Sequence, residues 1–258
     1  MKHTRLWLIL ISLLLGLLAW QALVALGDFP SFILPSPRQV AARLVEAVGD
    51  GSLLRHTGVT LLEVVSGLAL GVGVATGLGY LLARSLPLER LLSPYIVASQ
   101  AIPIVAIAPL LVIWFGPGMF SKVLICSLIV FFPVLINTVV GVRSVPSDLR
   151  DLLRSLRATR WQTLRLLEAP AALPVFLGGL RVGATLAVIG AVVGEFVGAK
   201  SGLGFLINVG RGLYDTALVF VAVFTLVGLA LALYGLVAWL ESRLLAWQRA
   251  PENEMRAD

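Results

Sequence analysis

Three ionisable residues, Glu63, Arg181 and Glu195, lie inside long apolar stretches of the sequence. Ionisable groups at membrane depth are costly, and in secondary transporters they relay protons or bind substrate. Glu63 lies in one apolar stretch and Arg181 and Glu195 in another, and Glu63 and Glu195 fall near the outer ends of theirs. We therefore expect interfacial charges rather than a proton relay. Arg181 is either an anion ligand or a side chain that reaches the cytoplasmic surface.

No catalytic or metal-binding motif accompanies these residues. The sequence has two histidines, His3 and His56, and a single cysteine, Cys126. They form no metal-ligand spacing, and no GxSxG motif is present. GEFVGAKSG, residues 194–202, has the wrong spacing for a phosphate loop and follows no predicted strand. We expect no enzyme activity, no metal and no cofactor in this chain, so any ATP and Mg²⁺ would be bound by a separate subunit.

The composition indicates the environment of these residues. Of the 258 residues, 59% are hydrophobic and 13% are charged, whereas about 25% are charged in a typical soluble domain. Apolar stretches of twenty or more residues predict an integral membrane protein. Cys126 lies inside one of them, and we expect it to pack as a small hydrophobic side chain. The net charge of +6 is not gathered in a soluble domain, so we expect no nucleic-acid partner.

The apolar stretches predict an all-α, multi-pass membrane protein with six transmembrane helices. The first stretch, of about twenty residues, exceeds the 7–15 of a signal-peptide core, so we expect it to be retained. Lys and Arg on the side of the termini outnumber those on the other side by about two to one, which places both termini in the cytoplasm. The predicted spans are residues 6–26, 57–83, 91–114, 122–142, 171–197 and 217–246.

Proline and glycine within the spans predict local features. Pro94, Pro103 and Pro109 interrupt or kink the third span. The pairs Gly67/Gly71 and Gly73/Gly77 have the spacing that lets helix backbones approach closely. Outside the spans, a short helix is predicted at 37–48, and residues 198–216 are predicted to be rich in loops.

The segment between the fourth and fifth spans carries the densest positive charge, with Arg150, Arg154, Arg157, Arg160 and Arg165. Its leucines recur at helical spacing, and Ser147 is the expected N-cap of a first helix that ends near residues 157–158. Thr159 and Gln162 form a capping box for a second short helix, which we expect to stop before Pro170. The sequence therefore predicts a helical hairpin at 147–169. It either docks a cytoplasmic partner or lies on anionic lipid.

Within this hairpin, SLRATRWQTLRLLEAPAALP (155–174) resembles the cytoplasmic signature loop of ABC importer permeases. That pattern is EAA, three residues, Gly, nine residues, Ile, one residue, and Leu-Pro. Residues 151–153 occupy the EAA positions, Leu167 the isoleucine position and residues 169–170 the Leu-Pro positions. Arg157 replaces the glycine, which in the family allows a positive φ.

Four further segments resemble the branch of this family that imports nitrate, sulfonates and taurine. In chain order they are LPSPRQV (34–40), IPIVAIAPLLVIWFG (102–116), FFPVLINTVVGV (131–142) and GEFVGAKSGLGFLI (194–207). Residues 131–142 resemble the fourth span of that branch, and residues 194–207 resemble its segment after the fifth span. The likeness therefore extends over nearly the whole chain.

The resemblance implies a type I ABC importer permease fold in the cell (inner) membrane. Its implied partners are a separate ABC ATPase subunit, an extracytoplasmic solute-binding protein and a second copy of the permease in a homodimer. The hairpin would insert as a coupling helix into a cleft on the ATPase. The implied coupling residues are Asp151, Leu152, Leu153, Arg154, Ser155, Leu156, Arg157, Ala158, Thr159, Arg160 and Trp161, with Arg154 and Arg160 at the rim.

The translocation pathway is less clearly marked. Polar residues within spans supply the candidates, although hydrogen bonding between helices would explain them equally well. They are Gln100, Asn137, Thr138, Thr185 and Glu195. The segments around residues 102–116 and 189–204 look more like permeases for riboflavin or thiamine pyrimidine precursors, with sulfonate, taurine or nitrate as the alternative. A stand-alone secondary transporter and a membrane scaffold are the competing classes.

These expectations divide the chain into three parts. Residues 1–56 would contain the first transmembrane helix and an extracytoplasmic amphipathic segment. Residues 57–246 would form the permease domain with its coupling hairpin, and residues 247–258 a cytoplasmic tail.

Overall fold

A computed structural model describes residues 2–247, all in helices and their connections. The element order is α1 Lys2–Gly27, α2 Pro37–Gly49, α3 Ser52–Arg84, α4 Leu86–Gln100, α5 Ile104–Phe115, α6 Met119–Arg143, α7 Ser147–Ser155, α8 Arg160–Thr163, a π-helical turn at Leu164–Glu168, α9 Ala169–Phe196, α10 Leu203–Gly212 and α11 Thr216–Leu244. The expected tail at 247–258 lies almost entirely outside the described residues.

Among residues 2–247, five helical segments are long and apolar enough to cross a membrane. They are Leu10–Gly27, Ser52–Arg84, Met119–Arg143, Arg160–Phe196 and Thr216–Leu244. The pair α4 and α5 would make a sixth span, but it bends by 94° between Gln100 and Ile104. The expectation of six spans is therefore met only if this bent pair counts as one span.

Proline explains the bend only in part. Pro103 precedes α5 in an extended conformation, with φ −69° and ψ 112°, as expected at a helix boundary. The N–H groups of Ala101 and Ile102 instead bond carbonyls three residues back. Pro94 and Pro109 lie inside α4 and α5, so they do not break the backbone there.

One compact unit comprises the residues up to Val59 together with 200–227. Here α2 matches its predicted position, because Ser36 and Gln39 form a capping box and Pro37 occupies the first turn. The Arg43 Nε–H donates a 2.8 Å hydrogen bond to Asp215, and this contact raises the pKa of Arg43. Residues 203–212 form α10, so the prediction of a loop-rich segment at 198–216 was wrong over that stretch.

The other unit comprises residues 60–199 together with the chain from Gly228. Helices α6 and α9 pack closely along their length because small residues of α9 meet the backbone of α6. A Cβ on Gly190 would lie 2.8 Å from the Cα of Cys126. On α3, a Cβ on Gly67 would lie 2.2 Å from the Cβ of Cys126, and one on Gly71 would lie 2.8 Å from the Ser127 carbonyl oxygen. Gly73 and Gly77 face open space instead. Cys126 is buried in this packing, as predicted.

Candidate functional site

The first helix of the hairpin, α7, begins after Pro146 rather than at a Ser147 cap. Pro146 is the N-cap residue, and no side chain caps the helix. Ser147 is already helical, and its hydroxyl lies 3.2 Å from the Asp148 carboxylate. The prediction of a Ser147 cap was wrong, because Pro146 occupies the N-cap position with φ −56°, fixed by its ring, and an extended ψ of 139°. Asp148 lies in the first turn, where the helix dipole favours an acidic residue.

Helix α7 ends in a Schellman motif centred on Arg157. The N–H of Ala158 bonds the Leu153 carbonyl at 3.0 Å, and the N–H of Arg157 bonds the Arg154 carbonyl at 3.0 Å. These are the two bonds that define the motif, in which the residue after the C-cap is left-handed. Arg157 has φ +54°. Arginine therefore adopts here the conformation for which glycine is better suited.

The second half of the hairpin begins at the predicted capping box. Thr159 Oγ1 accepts a hydrogen bond from the Gln162 N–H, and the Gln162 side chain accepts one from the Thr159 N–H. The expected stop before Pro170 was wrong. The chain continues through the π-helical turn, where the Ala169 N–H bonds the Leu164 carbonyl five residues back, and then into α9. Pro170 is tolerated because it lies in the first turn of α9.

A buried carboxylate ties the hairpin to the end of α3. Glu168, the last residue of the π-helical turn, is fully buried. The Tyr80 hydroxyl donates to Glu168 Oε2 at 3.2 Å, and Arg84 Nη1 lies 3.5 Å from Oε1. Arg150 Nε, on α7, lies 3.7 Å from the same oxygen. Glu168 therefore connects α3, α7 and the start of α9.

The outer surface of the hairpin combines apolar and basic side chains. Leu152, Leu156 and Trp161 are 54%, 68% and 67% exposed. The other residues predicted to couple surround them: Leu153 and Ala158 are half-buried, while Asp151, Arg154, Ser155, Arg157, Thr159 and Arg160 are exposed. Exposed apolar anchors with a charged rim are typical of protein–protein interfaces. The hairpin is chemically suited to dock a partner surface.

The five residues predicted to line a pathway are not gathered in one place. Gln100 lines a cavity with residues of α4 and α6, whereas Thr138 lines a different, apolar groove. The Asn137 side chain donates to the Pro133 carbonyl at 2.8 Å and packs against Gly179. Thr185 Oγ1 donates to the Val182 carbonyl at 2.8 Å. Their role in transport stays a prediction.

Glu63 and Glu195, predicted to be interfacial charges, are both buried within protein. Glu63 and Glu195 are 1% and 0% exposed, and Lys122 is 5% exposed. Lys122 Nζ donates to Glu63 at 2.7 Å, and the Thr60 hydroxyl donates to Glu195 at 2.7 Å. The cost of burying charge at these positions is offset by pairing within protein.

Arg181 is also partnered. Its guanidinium forms an ion pair with Glu241, contacts the Tyr234 hydroxyl at 3.3 Å and lies 5.0 Å from the centre of that ring. In residues 2–247 its buried Nε has no hydrogen-bond partner, and its role as an anion ligand or as a side chain reaching the cytoplasmic surface stays a prediction.

Sequence reasoning missed two groups of residues, the Glu168 contacts and the Lys122–Glu63 pair. Acidic residues are rare next to apolar stretches, so Glu63 and Glu168 could have been singled out from the sequence. Their spacing along the chain does not indicate which basic residues they contact. Within residues 2–247, no group of three or more His, Cys, Asp or Glu side chains could hold a metal ion.

The helices and hairpin define a multi-pass membrane protein of the permease class. Residues 69–246 match the family described as "Binding-protein-dependent transport system inner membrane component". The chain belongs to this family and is the permease subunit of an ABC importer. It is therefore a transporter subunit rather than an enzyme, and its importer type works with an ATPase and a solute-binding protein.

Named relatives agree with this assignment. The chain is 51% identical to the riboflavin transport system permease protein RibX of Chloroflexus aurantiacus, covering 92% of this chain and 89% of the relative. It is 37% identical to the formylaminopyrimidine transport permease protein ThiX of Halalkalibacterium halodurans, covering 84% and 87%. A structure of the inward-facing MetNI methionine ABC transporter matches with a TM-score of 0.66 over 75% of this chain and 96% of that chain. Its 19% identity shows the fold alone.

Proposed function

We propose that this permease imports riboflavin or a related neutral heterocycle, such as a pyrimidine precursor of thiamine. The observation that carries the proposal is the 51% identity to a permease named for riboflavin transport over 92% of the chain. Sulfonate and taurine remain the alternative substrates, and the relatives named for them are 32% and 33% identical.

The charges within the spans support a neutral solute. Lys122 contacts Glu63, and Arg181 contacts Glu241, so both cations already have a carboxylate partner. A sulfonate would be expected to need an unpaired cation or a cluster of donors along its route. A flavin or pyrimidine needs hydrogen-bonding groups and apolar surface instead.

The hairpin at 147–169 is proposed to dock the ATPase as a coupling helix. Leu152, Leu156 and Trp161 would enter a groove on the ATPase, while Arg154 and Arg160 would meet acidic residues at its rim. Two copies of the permease would form the pathway, and both termini would lie in the cytoplasm. ATP binding would move the hairpins and switch the permease from inward-facing to outward-facing, and hydrolysis would reset it.

Uptake by proteoliposomes tests the proposal. The vesicles would contain the permease, the ATPase encoded beside it and the matching binding protein. We expect ATP-dependent accumulation of radiolabelled riboflavin and none of taurine. Accumulation of taurine alone would favour the alternative substrate. Uptake without the ATPase would instead identify a secondary transporter, and the absence of flux for every solute tested would favour a scaffold.

A further inference from the structure

A basic cavity of about 560 Å³ lies between the end of α3 and the hairpin. Four arginines line it: Arg84 from α3, Arg150 and Arg154 from α7, and Arg160 at the start of α8. Tyr80 and Thr163 add hydroxyl groups to its wall. Guanidinium groups are planar donors that bind phosphate in a bidentate manner, so this lining suits a phosphorylated ligand.

Within residues 2–247, the positive charge of this basic cavity is not balanced by carboxylates. Glu168 lies near Arg84 and Arg150, and Asp151 contacts Arg154 at 3.1 Å. In the part of the chain that the structure describes, Arg160 has no ion pair. The buried Nε of Arg150 likewise has no hydrogen-bond partner there. Two carboxylates therefore face four guanidinium groups, and an anion would complete the balance.

An apolar groove of about 310 Å³ lies near the basic cavity. Tyr80 is in the wall of both spaces. The groove runs between α3, α6 and α9, with Gly77, Val142 and Phe176 in its wall. These three helices are membrane-spanning candidates. An apolar groove between such helices suits a lipid acyl chain.

We propose that the basic cavity and the apolar groove together bind one anionic phospholipid. Its phosphate lies against the arginines, and an acyl chain fills the groove past Tyr80. Basic pockets between transmembrane helices are known to suit such head groups. The bound phosphate would lie beside the π-helical turn and the hairpin, so that the lipid composition would influence the position of the hairpin. This site does not depend on the transported solute, but it shares Arg154 and Arg160 with the surface proposed to dock the ATPase.

Native mass spectrometry of the delipidated full-length permease tests the site. Phosphatidylglycerol and phosphatidylcholine with identical acyl chains would be titrated separately, without the ATPase. We expect preferential binding of phosphatidylglycerol. The double variant Arg154→Gln/Arg160→Gln should weaken that binding by about tenfold or more, since each guanidinium lost removes a charge-assisted contact. The control Arg165→Gln removes an exposed arginine that does not line the cavity and should have no effect.

A second pair of variants tests the groove without changing any charge. Gly77→Leu should also reduce phosphatidylglycerol binding, because the new side chain occupies the groove. Gly73→Leu lies one turn away on the same helix, faces equally open space and should have no effect. Thermal melting of both variants checks that they fold, and the arginine variants report on the site independently of them.

Three outcomes would overturn the lipid assignment. Equal binding of both lipids would show that the arginines do not select a head group. Loss of binding in the arginine variants but not in Gly77→Leu, with competition by inorganic phosphate, would indicate a soluble phosphate ligand. Displacement of the lipid by the ATPase, again with no effect of Gly77→Leu, would assign the basic cavity to an acidic side chain of that partner. Failure of riboflavin uptake would leave the lipid result standing.

Discussion

Lys122 Nζ donates a 2.7 Å hydrogen bond to Glu63 Oε1, joining α6 to α3 across 59 positions of sequence. Both side chains are almost fully buried within membrane-spanning candidates. Glu195, on α9, is buried as well and is held by Thr60 of α3. Buried polar contacts thus link α3 to both α6 and α9.

Replacing Lys122 with Met should destabilise the protein by about 3–5 kcal/mol, because Glu63 would become a buried carboxylate without its cation. The measurement is the thermal midpoint of the detergent-solubilised permease. The double variant Lys122→Met/Glu63→Leu should recover most of the loss. Lys200→Met, at an exposed lysine, is the matched control and should change little. If the single and double variants melt alike, the ion pair does not carry the effect.

Leu156→Glu and Arg157→Glu should abolish binding of the ATPase while the permease still inserts into the membrane. The first places a charge on an exposed apolar anchor, and the second reverses a charge beside it. Co-purification from nanodiscs measures the complex. Leu213→Glu, at a leucine that is 72% exposed in another part of the chain, should leave the complex intact. Normal transport by both hairpin variants would falsify the coupling assignment.

Arg157→Gly should preserve ATPase binding, because glycine adopts the left-handed conformation of the Schellman motif without strain. Arg157→Val should weaken binding, since a β-branched residue strongly disfavours positive φ. Both variants lose the same charge, so their difference in affinity reports the turn geometry. Equal loss in both would mean that the arginine side chain, and not the turn, matters.

Glu168→Gln should lower the stability by about 1–3 kcal/mol, because Arg84 and Arg150 lose the buried negative charge that they share. The amount of solute transported per ATP hydrolysed should also fall, even where the ATPase still co-purifies. Parallel measurements of uptake and ATP hydrolysis give this ratio. Glu46→Gln removes an exposed i,i+3 pair and should be nearly neutral. An unchanged ratio in Glu168→Gln would restrict Glu168 to a structural role.

Gly190→Ala should destabilise the α6–α9 packing, because the added methyl group would lie 2.8 Å from the Cα of Cys126. Gly178→Ala on the same helix faces open space and should be tolerated or slightly stabilising. Thermal melting of the two variants is the direct comparison. Similar midpoints would show that the helices separate at little cost.

Local signals in the sequence predicted local structure well. Pro37 and the Thr159–Gln162 box placed helix starts correctly, because caps depend on residues only a few positions apart. The sequence did not decide the turn geometry at Arg157, where arginine replaces the family's glycine, and the structure shows a positive φ there. The resemblance in the loop led to the importer family, which the family match confirms.

Long-range relationships could not be predicted in this way. The Glu63–Lys122 contact and the Glu168 contacts join residues far apart in the chain, and they depend on how helices pack. The pair Gly73/Gly77 has the same spacing as Gly67/Gly71, yet only the latter meets α6, because the direction of a neighbouring helix is not encoded in the spacing. The helix continues past Pro170 through the π-helical turn, and no residue pattern in the sequence predicted that turn.

The π-helical turn at Leu164–Glu168 has a geometric consequence for the whole hairpin-to-membrane connection. A π-turn is equivalent to one residue inserted into an α-helix, and one residue corresponds to a rotation of about 100°. A helical wheel drawn continuously from Arg160 to Phe196 would therefore assign the lipid-facing and protein-facing sides incorrectly on one side of the turn. The helical wheel is rotated by about 100° between the residues before the turn and those after it. The buried and exposed faces of these two stretches must therefore be assigned separately when substitutions are chosen.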